Sequence, residues 1–210
     1  MTQTRKVKQA SQDKAPTKGK ELARLTRDDW LDAAFQAVVE GGFDKVRVLT
    51  LAQTLGVTRG SFYWHFTDHA DLIAALLSRW VASELALYDS VFDVDSLDPV
   101  ADLEQVLDAA MAHAGPEMEK MRFELALRGL GRRDPAVSHM LQEVDQKRLA
   151  LFEKKFKRLV FGDKEASELA ALFYLAIVGS HQALSRPTNS SRVKEYLRGI
   201  IAGHLIHRLP

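Results

Sequence analysis

The sequence predicts an all-α protein: a small helical head, a long connecting helix and a larger helical body. Three observations predict it. No stretch of the 210 residues shows the alternation of apolar and polar side chains that marks a half-buried strand. Helix starts are written in cap chemistry at Thr26-x-x-Asp29, Asp98-Pro99 and Asp134-Pro135. Residues 48–71, VLTLAQTLGVTRGSFYWHFTDHAD, place two short apolar-patterned helices on either side of a tight corner.

Composition excludes several classes. There is no cysteine, so disulfides, thiolate zinc sites and cysteine nucleophiles are ruled out. Charges interrupt every apolar run, so no membrane span is expected. The basic N-terminus lacks the apolar segment of a secretory signal, and a cytoplasmic protein is expected. No glycine-rich phosphate loop or nucleophile elbow appears, and HLIH at His204 to His207 lacks the spacing and the glutamate of a zinc protease helix. No catalytic residue, cofactor or metal is therefore expected. His65 and His69 are four apart, but Thr67-Asp68 between them reads as a cap that breaks the helix.

The net charge of +1 hides an asymmetry. Residues 1–27 carry eight Lys and Arg against two acids, a net +6, and the remainder sums to −5. Residues 1–24 have few large apolar groups and read as a disordered basic arm. Such an arm suits phosphate binding through Lys18, Lys20 and Arg24; the alternative is a solubilising tail.

Taken in order, the first helix starts at the Thr26 cap, with Leu25 and Trp30 placed for a hydrophobic staple. Trp30, Leu31, Ala34, Phe35 and Val38 form its apolar stripe, and Gly41-Gly42 ends it. Phe43 and Val46 lead to the next helix, whose stripe is Val48, Leu51, Ala52 and Leu55. Gly56 is its C-terminal stop and Val57 plugs the corner. Thr58 is the N-cap of a helix running through Ser61 to Phe66, with Phe62 and Phe66 in the core. Helices joined so tightly cross steeply, which is helix-turn-helix geometry, and the second presents its N-terminal side chains to a DNA major groove.

A long helix starts at Asp68, with Leu72, Ile73, Leu76, Leu77, Trp80 and Leu87 apolar and Asp71 favouring its dipole. Next comes a helix from Asp98-Pro99 to about Ala114. A short helix with Met118, Met121, Phe123, Leu125 and Leu127 follows, ended by Gly129 and Gly131. Asp134-Pro135 opens a helix to about Phe161, apolar at Val137, Leu141, Val144, Leu149, Phe152 and Phe156 and charged elsewhere. Gly162-Asp163 opens a helix to Leu184 that is too apolar for a single buried face. Its small residues Ala176, Gly179 and Ala183 allow close approach, and with Tyr196, Ile200, His204 and Leu205 of a last helix (Ser191 to Leu209) it suits a four-helix homodimer interface. The alternative is a helix buried within a monomer.

The order helix, Gly-Gly-Phe, LAQTLGVTRGSFYWHF and an acidic residue resembles the tetracycline-repressor (TetR/AcrR) family of bacterial regulators over about Thr26 to Leu77. Ala52, Gly56, Val57, Tyr63, His65 and Phe66 match the family's motif in residue type. The resemblance implies a helix-turn-helix DNA-binding domain at 25–70 and a ligand-binding and dimerisation domain at 71–210. It implies a repressor that binds a pseudo-palindromic operator in double-stranded DNA as a homodimer, recognition helices about 34 Å apart, and is released by a small molecule. Arg59, Gly60 and Ser61 then read base edges, Arg59 being able to contact guanine bidentately for about 1–3 kcal/mol of discrimination. Tyr63 and His65 contact phosphates, Trp64 packs on the sugar-phosphate wall or a thymine methyl, and Thr26 and Thr58 offer hydroxyls and backbone N–H groups to phosphates. Two positions depart from the family. His69 stands where it usually has lysine, making that phosphate contact weaker and pH-dependent. Leu49 stands where related proteins carry a polar or basic reader, a loss that Arg47 is placed to compensate.

The resemblance also implies a pocket among the body helices. Its candidate lining is Trp80, Met111, Met118, Met121, Phe123, Phe152, Phe173 and Tyr174, the methionines suiting an adaptable apolar cavity. His113, Arg122, Arg128 and Gln182 are candidate orienting groups, and the mixture points to a moderately apolar molecule with an acidic group. The competing reading of the whole chain is a non-specific architectural DNA-binding protein without an effector.

Overall fold

The computed structural model describes residues 25–87, 97–110, 116–160 and 162–182, with 195, 196 and 199. The basic arm, Met111, His113, Ala183 and nearly all of the last expected helix lie outside the described residues. Eight α-helices and no strand occur among them: α1 (Arg27–Gly41), α2 (Val48–Thr54), α3 (Arg59–Phe62), α4 (His69–Leu87), α5 (Pro99–Ala110), α6 (Pro116–Gly131), α7 (Pro135–Lys157) and α8 (Asp163–Gln182). A 3-10 turn at Phe43–Lys45 joins α1 to α2.

Local chemistry sets most of the helix ends. Thr26 and Asp29 form a reciprocal capping box at α1. At the end of α2, Gly56 has φ of 68°, the Gly56 N–H donates to Gln53 O, and the Val57 N–H donates to Ala52 O. These two bonds satisfy orphan carbonyls of α2 and turn the chain sharply. Asp68 accepts from the Asp71 N–H at 2.9 Å while Asp71 accepts from the Thr67 N–H at 2.9 Å, which starts α4. Asp98 caps α5 through Val100 and Ala101, and Asp134 caps α7 through Ala136 and Val137.

Several boundaries differ from the sequence expectation. The recognition helix is one turn, Arg59–Phe62, and Tyr63 to Phe66 continue as tight turns rather than helix. Thr58 is at its N-cap, yet its hydroxyl makes no capping bond; only its carbonyl is used, accepting from the Ser61 N–H. Gly129 does not end α6, which runs 16 residues to Gly131, and α7 stops at Lys157 rather than near Phe161.

Among the described residues, two apolar clusters form the core. The first joins Trp30, Leu31, Ala34 and Val38 of α1 to Leu51, Phe62, Phe66, Leu72, Leu76 and Trp80, and it continues into Phe123, Leu127, Val137, Leu141 and Val144 of α6 and α7. Phe123 is the hinge of this packing: Phe35 stacks on it at 4.9 Å and Phe43 tilts against it at 5.8 Å. The second cluster gathers Leu103, Val106, Leu151, Phe152, Phe156, Ala170, Phe173 and Ile177, with Leu87 packed against it. Helix α4 therefore runs from one cluster into the other.

The charged surface expected for α7 is interrupted at two places. Arg148 and Lys155 are buried, at 9% and 1% exposure, and both are paired, as a buried cation must be. Lys155 Nζ donates to both oxygens of buried Asp102 at 3.0 and 2.9 Å, and Arg158 donates to Asp102 Oδ2 at 2.6 Å. Helix α8 has two apolar faces: Ala166, Ala170, Phe173, Tyr174 and Ile177 are buried, while Leu172 and Leu175 are 59% and 65% exposed.

Candidate nucleic-acid interface

The corner at Gly56 sets α3 across the end of α2, and the alternation of sides along α3 then decides what faces outward. Phe62 is fully buried, edge-on to Trp30 at 5.3 Å and stacked on Phe66 at 5.3 Å. With those rings turned in, Thr58, Arg59, Gly60, Tyr63 and Trp64 are exposed and Ser61 and His65 are half-buried. Trp64 is 78% exposed and Tyr63 beside it 52%, which leaves two large rings uncovered on this side of the head. Leu49 and Arg47, at the start of α2, are exposed as well.

The polar groups are not equally available. Arg59 Nη2 donates to Tyr63 Oη at 3.0 Å, with the guanidinium 5.9 Å from the ring centroid. Arg47 Nε donates to the Asp44 carbonyl at 3.3 Å. His69 lies with Nε2 2.7 Å from the Val46 carbonyl oxygen, so this ring nitrogen carries the proton and ties α4 to the segment before α2. Thr26 is engaged by its own cap: its N–H and hydroxyl both donate to Asp29 Oδ2, at 2.6 and 2.7 Å. Those bonds, the backbone one foremost, hold the Asp29 carboxyl below its usual range. Arg27 was not singled out from sequence; its guanidinium sits 4.7 Å over the Phe66 ring.

Among the described residues no three His, Asp or Glu side chains converge where a metal would bind, and no helix is long and apolar enough to cross a membrane.

In the body, the described aromatic candidate ligand residues divide between the two apolar clusters. Trp80 and Phe123 belong to the cluster under the head, whereas Phe152, Phe173 and Tyr174 belong to the second cluster. Met118 is half-buried. Met121 and Gln182 line a crevice between α6 and α8 with Glu124, Leu125, Arg128 and Val178; its volume is about 10 Å³, room for one water.

Beneath that crevice lies a network that sequence reasoning missed. Arg148 donates to Glu84 Oε2 at 2.7 Å and to both oxygens of Glu124 at 2.8 and 2.9 Å. Arg128 donates to Glu124 at 2.7 Å, to Asp145 at 2.7 and 3.0 Å, and to Tyr174 Oη at 3.2 Å. Burial opposes ionisation of Glu124, but the Arg148 and Arg128 guanidinium groups outweigh it and hold its carboxyl down at about 2. Burial also opposes the charge on Arg128, and its bond to Asp145 with the field of Glu124 raises its pKa nonetheless. Burial, then the Asp145 carboxylate, keeps the Tyr174 phenol protonated. The missed signal was positional: Glu84 falls four after Trp80 and Arg148 four after Val144, both on the apolar stripes of their helices.

Residues 31–76 match the family described as bacterial regulatory proteins, tetR family. The transcriptional repressor BepR of Brucella suis is 31% identical over 167 residues, covering 75% of this chain and 78% of its own. The regulator TtgR of Pseudomonas putida is 33% identical over 88 residues, and the matched part spans 42% of each chain. Two solved structures share the fold: a transcriptional regulator from a Rhodococcus species (TM-score 0.66, 19% identity, 86% of this chain and 97% of that one) and a regulator from Saccharomonospora viridis in complex with choline (TM-score 0.66, 19% identity, 87% and 96%).

Proposed function

Since the chain belongs to the TetR family of bacterial regulatory proteins, we propose that it is a ligand-responsive, sequence-specific transcriptional repressor rather than an enzyme, acting on DNA in the cytoplasm. The observation that carries this reading is the outward face of α3 and the turns after it: Arg59, Gly60, Tyr63 and Trp64 are exposed while Phe62 and Phe66 anchor the segment in the core. Arg59, Gly60 and Ser61 are assigned to base edges, and Thr58, Tyr63, Trp64, His65, Arg47 and His69 to the backbone on either side. Thr26 is assigned a backbone contact that requires its bonds to Asp29 to yield. In this scheme residues 25–70 bind DNA and 71–210 bind the effector and the second subunit.

The exposed leucines of α8, Leu172 and Leu175, supply the apolar patch for a two-fold dimer, and two-fold symmetry makes the operator a pseudo-palindrome. The fold-sharing Saccharomonospora viridis regulator is a complex with choline. By analogy, the effector of this chain is assigned to the body, entering where Met121 and Gln182 flank the crevice between α6 and α8. Parting α6 from α8 disturbs Glu124 and Arg128, and through Arg148 the grip on Glu84 of α4. The effector releases DNA to the extent that it binds the parted state more tightly.

Selection of binding sites from random duplex DNA with the purified full chain tests this. A recovered pseudo-palindrome supports a symmetric, sequence-specific dimer. Recovery of no consensus, with binding lost at moderate salt, rejects it in favour of a non-specific architectural role.

A further inference from the structure

We propose that Tyr63 is a positioning residue for Arg59: its hydroxyl fixes the guanidinium that reads a base, so Tyr63 governs sequence preference at a base pair it does not itself touch. The inference rests on the reading of Arg59 as a base reader and goes beyond a tyrosine-to-phosphate contact.

Arg59 needs such a support. It is the first residue of a helix only four residues long, it is exposed, and no side chain caps that helix. An arginine in water samples many rotamers, and ordering it opposes binding, whereas bidentate pairing to guanine demands one orientation of the guanidinium plane. Tyr63 follows at i+4, the spacing at which side chains on a helical turn meet. Its Oη accepts from Arg59 Nη2 at 3.0 Å, and the guanidinium stays within reach of the ring face at 5.9 Å. The ring is itself held: Tyr63 leans edge-on against Phe62 at 5.3 Å and 84°, and Phe62 is locked between Trp30 and Phe66. A chain of rings thus runs from the core of the head to the guanidinium. One of the five N–H donors of Arg59 goes to Tyr63, which leaves enough for a two-pronged contact with a guanine edge. The Tyr63 oxygen accepts in this bond, so its own proton remains for a phosphate.

The test combines Tyr63→Phe, Arg59→Ala and the double variant, each used for site selection from random duplex DNA, with affinities measured for the selected wild-type site and for random-sequence duplex. Tyr63→Phe keeps the ring on Phe62 and removes only the oxygen. The expected result is a roughly three- to ten-fold fall in the ratio of specific to random affinity, the worth of one hydrogen bond. The preference flattens at the base pair that Arg59→Ala also flattens, and the double variant flattens it no further. If Tyr63→Phe weakens specific and random duplex equally while every base preference survives, the tyrosine is a phosphate contact only and the inference fails alone. If Arg59→Ala leaves all preferences intact, or wild-type protein selects no site, the base-reading role fails and takes the inference with it.

Discussion

Glu84 and Arg148, 64 residues apart in sequence, lie 2.7 Å apart with both side chains 11% exposed. The pair fastens the second half of α4 to α7 by charge at the level where one apolar cluster gives way to the other. Arg148 also carries two bonds to Glu124, so one guanidinium serves two helices besides its own.

Replacing Arg148 strands the buried Glu84 carboxylate and leaves Glu124 with Arg128 alone. Arg148→Met is expected to destabilise the protein by about 3–5 kcal/mol, because buried charges lose their partner. Adding Glu84→Leu removes the stranded charge while Arg128 still serves Glu124, and most of the lost stability is recovered. Urea unfolding of the three proteins checks this; a double variant as weak as Arg148→Met contradicts it.

Acid acts on the same place. The Glu124 carboxyl is held near 2, against an ordinary 4.5, chiefly by Arg148 and then Arg128 acting against burial. A folded pKa below the unfolded one stabilises the protein above about 4.5, and that contribution disappears as pH falls toward 2. It amounts to a few kcal/mol, on the order of the shift times 1.4. Unfolding free energies measured through that window are expected to fall for the wild type more steeply than for Glu124→Gln, which starts lower at neutral pH.

At Gly56 only the backbone is at stake. Its φ is 68°, and a Cβ built there meets nothing within 4 Å. Gly56→Ala is expected to cost about 1–2 kcal/mol from the left-handed conformation alone, with Gly56→Asn milder. Thermal unfolding gives the ranking, and DNA affinity is expected to fall in step because α3 is aimed by this turn.

The exposed face of α8 gives a prediction about assembly. Leu172→Glu with Leu175→Glu is expected to yield a folded monomer, since both side chains are already more than half exposed within the chain. Sedimentation reads the mass, circular dichroism the retained helix, and operator binding is expected to fall well over ten-fold when two half-sites are no longer joined. A dimer that survives both charges moves the interface elsewhere.

What sequence reading recovered was local. Thr26 with Asp29, Gly56, Asp98-Pro99 and Asp134-Pro135 each act within a few residues, and the structure places a cap or stop at every one. The length of α3 was not legible, because Phe62 and Phe66 stay on the core side in a helix and in the tight turns that replace it. The ion network was not legible either, since its partners are joined only by the packing of α4, α6 and α7. Aromatic spacing marked Trp80, Phe123, Phe152, Phe173 and Tyr174 as buried but not what they are buried against, such as Phe35 and Phe43 of the head against Phe123.

That placement of Phe123 bears on how such a regulator can diversify. A head exchanged at residue 70 would bring its own α1 to a foreign α6, and the stacked pair of Phe35 and Phe123 would be split between two ancestries. In the proposed division of labour, the part that chooses the operator and the part that senses the signal share this seam. A productive chimera of this chain has to carry the α1–α6 contact across together, as one transplanted surface.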